Sequence, residues 1–295
     1  EGPFYIHNFP ANSARADRIT EILSAGDSFT IDDFKKAQLD LKDLRAYEVL
    51  PDLLAILGES DDERVQLACE LLAAWNKETT SDAAGPCLFY PFHDRLWPRK
   101  FMRRVLTDPV INAIPTATPA LSLFDIGHFL TPDSPWQEHR ATLVETVCET
   151  MAEVVDSVRE TLGGDPADWR WGDMHQIYFS HRLAKHEAWS KMTAGPDPIG
   201  GSGTTLGMAM HMGPGPGRAK DGEIPCRVYH GPAFRWVVDL ADPDHVEFVI
   251  AGGNGGNAGS PYATNLYDMW LHGEYMTVSY LRDELEVDTT SVSYT

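Results

Sequence analysis

Residues 231–250 read Gly231-Pro232-Ala233-Phe234-Arg235-Trp236-Val237-Val238-Asp239-Leu240-Ala241-Asp242-Pro243-Asp244-His245-Val246-Glu247-Phe248-Val249-Ile250. Phe234, Trp236, Val238 and Leu240 alternate with Arg235, Val237 and Asp239, the period of two that a strand imposes, and the pattern predicts a central strand covered on both faces. After the turn Asp242-Pro243-Asp244, Val246, Phe248 and Ile250 repeat the alternation, so the two segments are expected to pair antiparallel, and Met276, Val278 and Tyr280 offer a third strand.

Upstream the period changes to that of helices. Arg15 to Leu23 carries Ile19, Ile22 and Leu23 on one side with Gly26 as a stop. Thr30 followed by Asp33 resembles a capped helix start, and Phe34, Ala37, Leu41 and Leu44 recur at helical spacing until Pro51, where a kink or break is expected. Ser60 with Glu63 reads as a second capping box, opening a helix that buries Val65, Ala68, Cys69 and Leu72. The longest helical pattern runs from about Gln137 to Leu162, with Leu143, Val147, Met151, Val154, Val155, Val158 and Leu162 on one face and Glu145, Glu149, Glu153 and Arg159 outside. The chain is therefore mainly helical over 13–162 and loop- and strand-rich over 163–295, an α+β protein with helices packed on an antiparallel sheet.

Composition narrows the function classes. The 295 residues carry a formal net charge of −20, which disfavours non-specific binding to nucleic acid or anionic membrane because both need a positive field. No apolar run is long enough for a membrane span. Cys69, Cys87, Cys148 and Cys226 form no C-x-x-C pair; two long-range disulfides in three open pairings or four buried thiols both satisfy the count, with buried thiols the expectation. The chain opens Glu1-Gly2-Pro3-Phe4 without Met or signal peptide, the start expected of a processed piece.

Several chemical motifs bear on function. The cluster from Gly252 to Gly259 contains Gly253-x-Gly255-x-x-Ala258, yet Ser260-Pro261 follows where a dinucleotide-binding helix would run, so a tight loop with glycines at positive φ is the better reading. His175, His181 and His186, with Asp173 and Glu187 nearby, are spaced to scatter their rings around a helix rather than converge on a metal. Trp169, Trp171, Tyr178 and Phe179 read as core rather than as a sugar or acyl pocket. No G-x-S-x-G occurs, and the Gly-Ser and Gly-Thr steps at Gly201-Ser202, Gly203-Thr204 and Gly259-Ser260 read as loops.

Three ordered stretches carry a resemblance. The first is Ala16-Asp17-Arg18-Ile19-Thr20-Glu21-Ile22, then Phe34-x-x-x-Gln38-x-Asp40 and Leu50-Pro51-x-Leu53-Leu54. The second is Trp169-x-Trp171-Gly172-x-x-His175-x-x-x-Phe179-x-His181. The third is Gly231-Pro232-x-Phe234-Arg235-x-Val237-Val238-Asp239-Leu240, continued by Gly252-Gly253-Asn254-Gly255-Gly256-x-x-x-Ser260-Pro261-Tyr262 and Trp270-x-x-Gly273-Glu274-Tyr275. In this order they resemble the C-terminal part of the β chain of the penicillin acylase family of N-terminal-nucleophile hydrolases.

The resemblance implies a four-layer αββα sandwich and acyl transfer from a linear amide to water. It implies a nucleophile at the head of the β chain, freed by autocatalytic cleavage, whose own α-amine, with a pKa of about 8, takes the hydroxyl proton. A backbone N–H and an asparagine stabilise the oxyanion, and losing one such donor costs about 10²- to 10³-fold in rate. Glu1 offers neither hydroxyl nor thiol, so the nucleophile and the oxyanion asparagine are expected upstream and this stretch alone is expected to be catalytically incomplete. Arg18 matches the arginine the family places beside them, a rigid fork able to hold an amide oxygen or water. Trp171 and His175 are expected on a helix packed against the sheet, and Tyr262, after the glycine loop, to approach a substrate channel.

No cofactor is required and no metal site is assigned, although the resemblance allows a structural calcium whose ligands lie mostly upstream, with His7 or Asn8 in the place of the one contributed here. Expected partners are a small-molecule amide substrate (a β-lactam nucleus, an acyl-homoserine lactone or a lipopeptide) and the remaining α and β portions of the precursor. Nucleic acid and a membrane span are excluded; periplasm or medium is the implied location, with antibiotic metabolism or quorum quenching as the setting. Two rivals stay open: a non-catalytic binding or scaffold relative of the same fold, and a metal-dependent hydrolase built on the His175 to His186 cluster.

Overall fold

A computed structural model describes residues 13–94, 97–107, 126–180, 193–213, 215–220, 223–257 and 259–279. Among them the helices are α1 (Ala14–Ser24), α2 (Ile31–Gln38), α3 (Leu44–Leu57), α4 (Glu63–Ala74), α5 (Gly85–Asp94), α6 (Trp97–Val105), α7 (Ile126–Leu130), α8 (Arg140–Leu162), α9 (Trp171–Met174) and α10 (Tyr267–Leu271). The strands are β1 (His175–Ser180), β2 (Thr193–Pro198), β3 (Met210–Met212), β4 (Cys226–His230), β5 (Phe234–Val238), β6 (His245–Ile250) and β7 (Met276–Ser279). The mixture of helices and sheets makes this an α+β chain. It divides into two compact units, one from residues 1–25, 40–178 and 195–231, the other from 26–39, 179–194 and 232–295.

The first unit is built around α8, which buries Leu143, Val147, Met151, Val154, Val155 and Val158 against a core that includes Leu50, Leu53, Leu72, Leu88, Trp97 and Phe101. Its 3₁₀ entry turn, Pro135–His139, is capped by Ser134. The glutamates of its outer face are not merely solvated. The cations of α6 reach across to them, Lys100 Nζ to Glu153 Oε2 at 2.6 Å and Arg104 Nη2 to Glu149 Oε2 at 2.6 Å, while the apolar side of α6 buries Trp97, Phe101 and Met102.

Local capping corrects several sequence expectations. Asp43 starts α3, its side chain accepting from the Arg45 and Ala46 N–H groups, so the helical spacing from Phe34 to Leu44 is divided between two helices. Helix α3 then continues through Pro51, because Val49, Leu50, Leu53, Ile56 and Leu57 are all buried and their packing outweighs one missing N–H donor. The start of α4 is capped by Asp62, which accepts from Arg64 N–H, while Ser60 Oγ accepts from Asp62 N–H instead of forming a box with Glu63. All four cysteines are free thiols; Cys87 and Cys226 are buried, Cys69 and Cys148 only partly.

The sheet of the first unit has the order β2-β1-β4-β3. It is mixed rather than antiparallel: β1 pairs parallel with β4 in the register His175↔Cys226, and β3 pairs antiparallel with β4. His175 therefore opens a strand, and only the four residues of α9 before it are helical. Trp169 and Trp171 are fully buried, as their density suggested.

In the second unit β5, β6 and β7 form an antiparallel sheet in that order, with Trp236 opposite Phe248 and Phe248 opposite Met276. The pairing agrees with the sequence pattern; the burial does not. Strand β5 is an edge, Phe234 and Trp236 are about half exposed and Leu240 lies beyond the strand in solvent, while Arg235 and Val237 face inward. Arg235 is held there by donating from Nη1 to the Trp270 carbonyl at 2.6 Å with its guanidinium over the Trp270 ring. Tyr280, the last residue of the expected third strand, lies outside the described residues. Helix α2 begins with the capping box foreseen for Thr30 and Asp33.

Candidate active-site clamp

Arg18 sits on α1 with its side chain 17 % exposed, close to the equally shielded Asp40. Two parallel hydrogen bonds join them: Nε donates to Oδ1 at 2.9 Å and Nη2 to Oδ2 at 2.6 Å. This fork-on-fork arrangement matches the planar guanidinium to the planar carboxylate and restricts rotation of both groups. Arg18 Nη1 also meets Glu21 Oε2 at 3.0 Å, one helical turn on, and Lys42 Nζ donates to Glu21 Oε1 at 2.7 Å. Two cations and two carboxylates thus alternate through the cluster.

The electrostatic consequences follow from these contacts. The bond to Asp40, opposed by partial burial and reinforced by Glu21, holds the Arg18 guanidinium above its ordinary range, so it stays charged. The bond from Lys42, then that from Arg18, holds Glu21 below the usual carboxylate range. Arg18 is legible in the sequence and Asp40 only as a position of the first stretch, because the ion-pair partnership depends on a contact between residues 22 positions apart.

Asp40 is itself anchored, its carbonyl accepting from Gly207 N–H at 2.8 Å. Gly207 ends a loop organised by a buried carboxylate. Asp43 Oδ2 accepts from Tyr90 Oη at 2.5 Å, from Thr204 Oγ1 at 2.8 Å and from Ser202 Oγ at 3.4 Å. Burial, and then the charge of Asp43, push the Tyr90 phenol well above its ordinary pKa. Ser202 is 1 % exposed, so the Gly201-Ser202 and Gly203-Thr204 steps supply donors to Asp43 from within a packed loop, consistent with their reading as loop residues. Gly201 adopts φ +90 there, and an added Cβ would lie 2.2 Å from the Gly207 carbonyl.

Next to this loop His175 is enclosed, with Nδ1 2.7 Å from the Ile199 carbonyl oxygen and Nε2 2.9 Å from that of Ala209. Its ring stacks on Trp171 at 4.5 Å. Burial and the neighbouring His211 lower its pKa to about 3, against the opposing pull of the two carbonyls. Each ring nitrogen faces a backbone carbonyl oxygen, and the neutral ring donates its single N–H to one of them, a structural role; His181 and His186 lie outside the described residues, as do His7 and Asn8.

Tyr262 belongs to the second unit and is 61 % exposed. Its carbonyl accepts from Gly255 N–H at 2.9 Å, which closes the glycine loop. The described glycines of that loop lack the expected positive φ. They are needed for close approach instead: a Cβ on Gly253 would fall 2.0 Å from the Tyr262 carbonyl oxygen.

Among known proteins, this chain is similar to an acyl-homoserine lactone acylase QuiP of Pseudomonas syringae pv. syringae (strain B728a), 24% identical over 232 residues that cover 75% of this chain and 27% of the relative. It is likewise similar to an acyl-homoserine lactone acylase QuiP of Pseudomonas aeruginosa PAO1, 24% identical over 306 residues, covering 92% of this chain and 35% of that relative. The chain thus spans between about a quarter and about a third of the length of these relatives. The family model described as penicillin amidase matches residues 1–287, and the chain belongs to the penicillin amidase family.

Proposed function

We propose that residues 1–295 are one continuous part of an amide-cleaving acylase, folded as part of a four-layer αββα sandwich, whose nucleophile is supplied by polypeptide outside these residues. The substrate class is a linear amide joining an apolar acyl group to an amine, as in acyl-homoserine lactones, penicillins or lipopeptides, and the site of action is the periplasm or the medium. Family membership and the acylase activity for which the relatives are named support the reaction type. The observation that carries this chain's share in it is the bidentate clamp of Arg18 by Asp40.

In this reading the nucleophile is freed by autocatalytic cleavage, attacks the amide carbonyl and expels the amine, leaving an acyl-enzyme that water hydrolyses. Arg18 acts by position. Its orientation is set by Asp40, its charge persists at every working pH, and N–H bonds beyond those given to Asp40 and Glu21 are left to hold an amide oxygen or a water beside the nucleophile. Tyr262 is proposed at the substrate path. No cofactor takes part, and a structural calcium would involve residues outside the described ones.

The test is to sequence the N-terminus of every polypeptide in the purified enzyme and to assay chromogenic amides of graded acyl length with the wild type and Arg18→Ala. A chain headed by Ser, Thr or Cys, with turnover falling ten-fold or more in the variant, supports the reading. One observation favours a second reading, a non-catalytic relative: Nε, Nη1 and Nη2 of Arg18 are all bonded to carboxylates, as in a structural pin. An uncleaved precursor without turnover that still binds acyl ligands would decide for it.

A further inference from the structure

The segment Gly207-Met208-Ala209-Met210-His211-Met212-Gly213 places methionine at every second position. In the structure His211 of β3 turns inward, its ring 5.9 Å from Tyr90, 5.4 Å from Trp171 and 5.3 Å from His175. Its strand partner Val228 is buried too. The alternation of a strand then sends Met210 and Met212 to the opposite face, where Met212 is 62 % exposed. Across β4, His230 lies opposite Met210 and is exposed, and directly opposed residues of an antiparallel pair share a face.

The register slips between Met210 and His211, which leaves Tyr229 as an extra residue on β4. Its hydroxyl donates to Met210 Sδ at 3.0 Å. Arg15 Nη1 donates to Met208 Sδ at 3.2 Å. Two thioethers are thus already turned toward polar donors rather than packed in the core.

The geometry points to a binding site for a soft monovalent cation of the Cu(I) class on the outer face of β3 and β4, with Met210, Met212 and His230 as ligands and Met208 as a fourth donor once Arg15 swings aside. Thioether sulfur and neutral imidazole suit such an ion, and Met210, Met212 and His230 bring no carboxylate that would favour Ca²⁺ or Mg²⁺. Alternate residues along a strand stand roughly 6.5–7 Å apart, and an unbranched methionine has the torsional freedom to bring two such sulfurs onto one ion. The site is independent of the acylase reading, although Met208 follows Gly207, which holds the Asp40 carbonyl, and Arg15 shares α1 with Arg18.

The test uses Ag(I), a soft ion without redox chemistry, titrated into protein carrying ¹³C-methyl methionine, with Cys69→Ser and Cys148→Ser removing the two more accessible thiols. Of the nine methionine methyl resonances, those of Met208, Met210 and Met212 are expected to shift and to saturate at one ion per chain. The same titration of the unsubstituted protein reads the same methyls if the serine variants fold poorly. Met210→Leu/Met212→Leu is expected to weaken binding at least ten-fold, and His230→Ala to weaken it as well. Absence of shifts at these methyls, which would mean capture by thiols or a purely apolar contact surface, overturns the proposal, as does unchanged affinity in the double methionine variant.

Discussion

The Tyr90 hydroxyl donates to Asp43 Oδ2 at 2.5 Å, while Oδ1 of the same carboxylate accepts from the first N–H groups of α3. One buried side chain therefore starts a helix and fastens the loop that ends at Gly207, which in turn holds the Asp40 backbone.

Asp43→Ala removes a helix cap and leaves the Tyr90 and Thr204 hydroxyls without their acceptor. It is expected to cost about 2–4 kcal/mol, roughly 1 from the cap and the rest from the stranded donors. Tyr90→Phe, which removes one donor and keeps the ring, should cost about 1–2 kcal/mol. Urea unfolding of both variants checks the order. No loss in Tyr90→Phe would mean that the carboxylate acts only as a cap.

Asp40→Asn keeps the shape of the clamp but removes its charge and replaces one acceptor oxygen by a donor. In the complete enzyme kcat is expected to fall about ten-fold with KM little changed and the melting temperature within a few degrees of wild type, whereas Arg18→Lys should not restore activity, because one ammonium cannot reproduce the fork. A kcat unaffected by Asp40→Asn would show that the Asp40 carboxylate is not what positions Arg18.

Acid stability reports on Asp62, whose bonds from the Arg64 side chain and backbone lower its pKa to about 2. A depressed carboxylate stabilises the fold above its unfolded pKa of about 4, and that contribution is lost as pH falls from about 4 to about 2. The group is about one-third exposed, so the effect is modest. Asp62→Ala should lower stability by about 1 kcal/mol at pH 7, Asp62→Asn by less, and the three proteins should converge near pH 2 in chemical denaturation.

Arg235 is 7 % exposed and its Nε has no hydrogen-bond partner. Its salt partner is missing among the described residues: the bonds found run to the Trp270 carbonyl and ring. Burial lowers its pKa. Since an uncompensated buried charge is costly, Arg235→Met, which fills the space without the charge, should match or exceed wild-type stability, while Arg235→Ala leaves a cavity and should cost about 2 kcal/mol or more. Thermal unfolding followed by tryptophan fluorescence distinguishes the two, and a severe loss in Arg235→Met would show that the bond to Trp270 dominates.

Replacing Glu149 and Glu153 together by Gln tests the contact between α6 and α8. These partly exposed pairs should contribute less than about 1 kcal/mol in total, and the difference from wild type should vanish in about 1 M salt, where screening is strong.

What the sequence determined by itself was periodic or local. The 3.6-residue stripe from Leu143 to Val158 specified α8, the alternation from Phe234 to Ile250 specified the pairing of β5 with β6, and Thr30 with Asp33 specified a helix start, because each signal is complete within a few neighbouring residues. The ordered stretches around Arg18, Trp171 and Phe234 were likewise sufficient for the family. Tertiary structure decided which face of β5 is buried, since Phe234 and Trp236 are the better apolar residues and yet Arg235 turns inward to a carbonyl supplied from position 270. It decided that Pro51 stays inside a helix, that β1 lies parallel to β4, and that Arg18 is gripped by Asp40. Each of these depends on contacts between residues distant in the chain, whose packing and charge compensation no local period encodes.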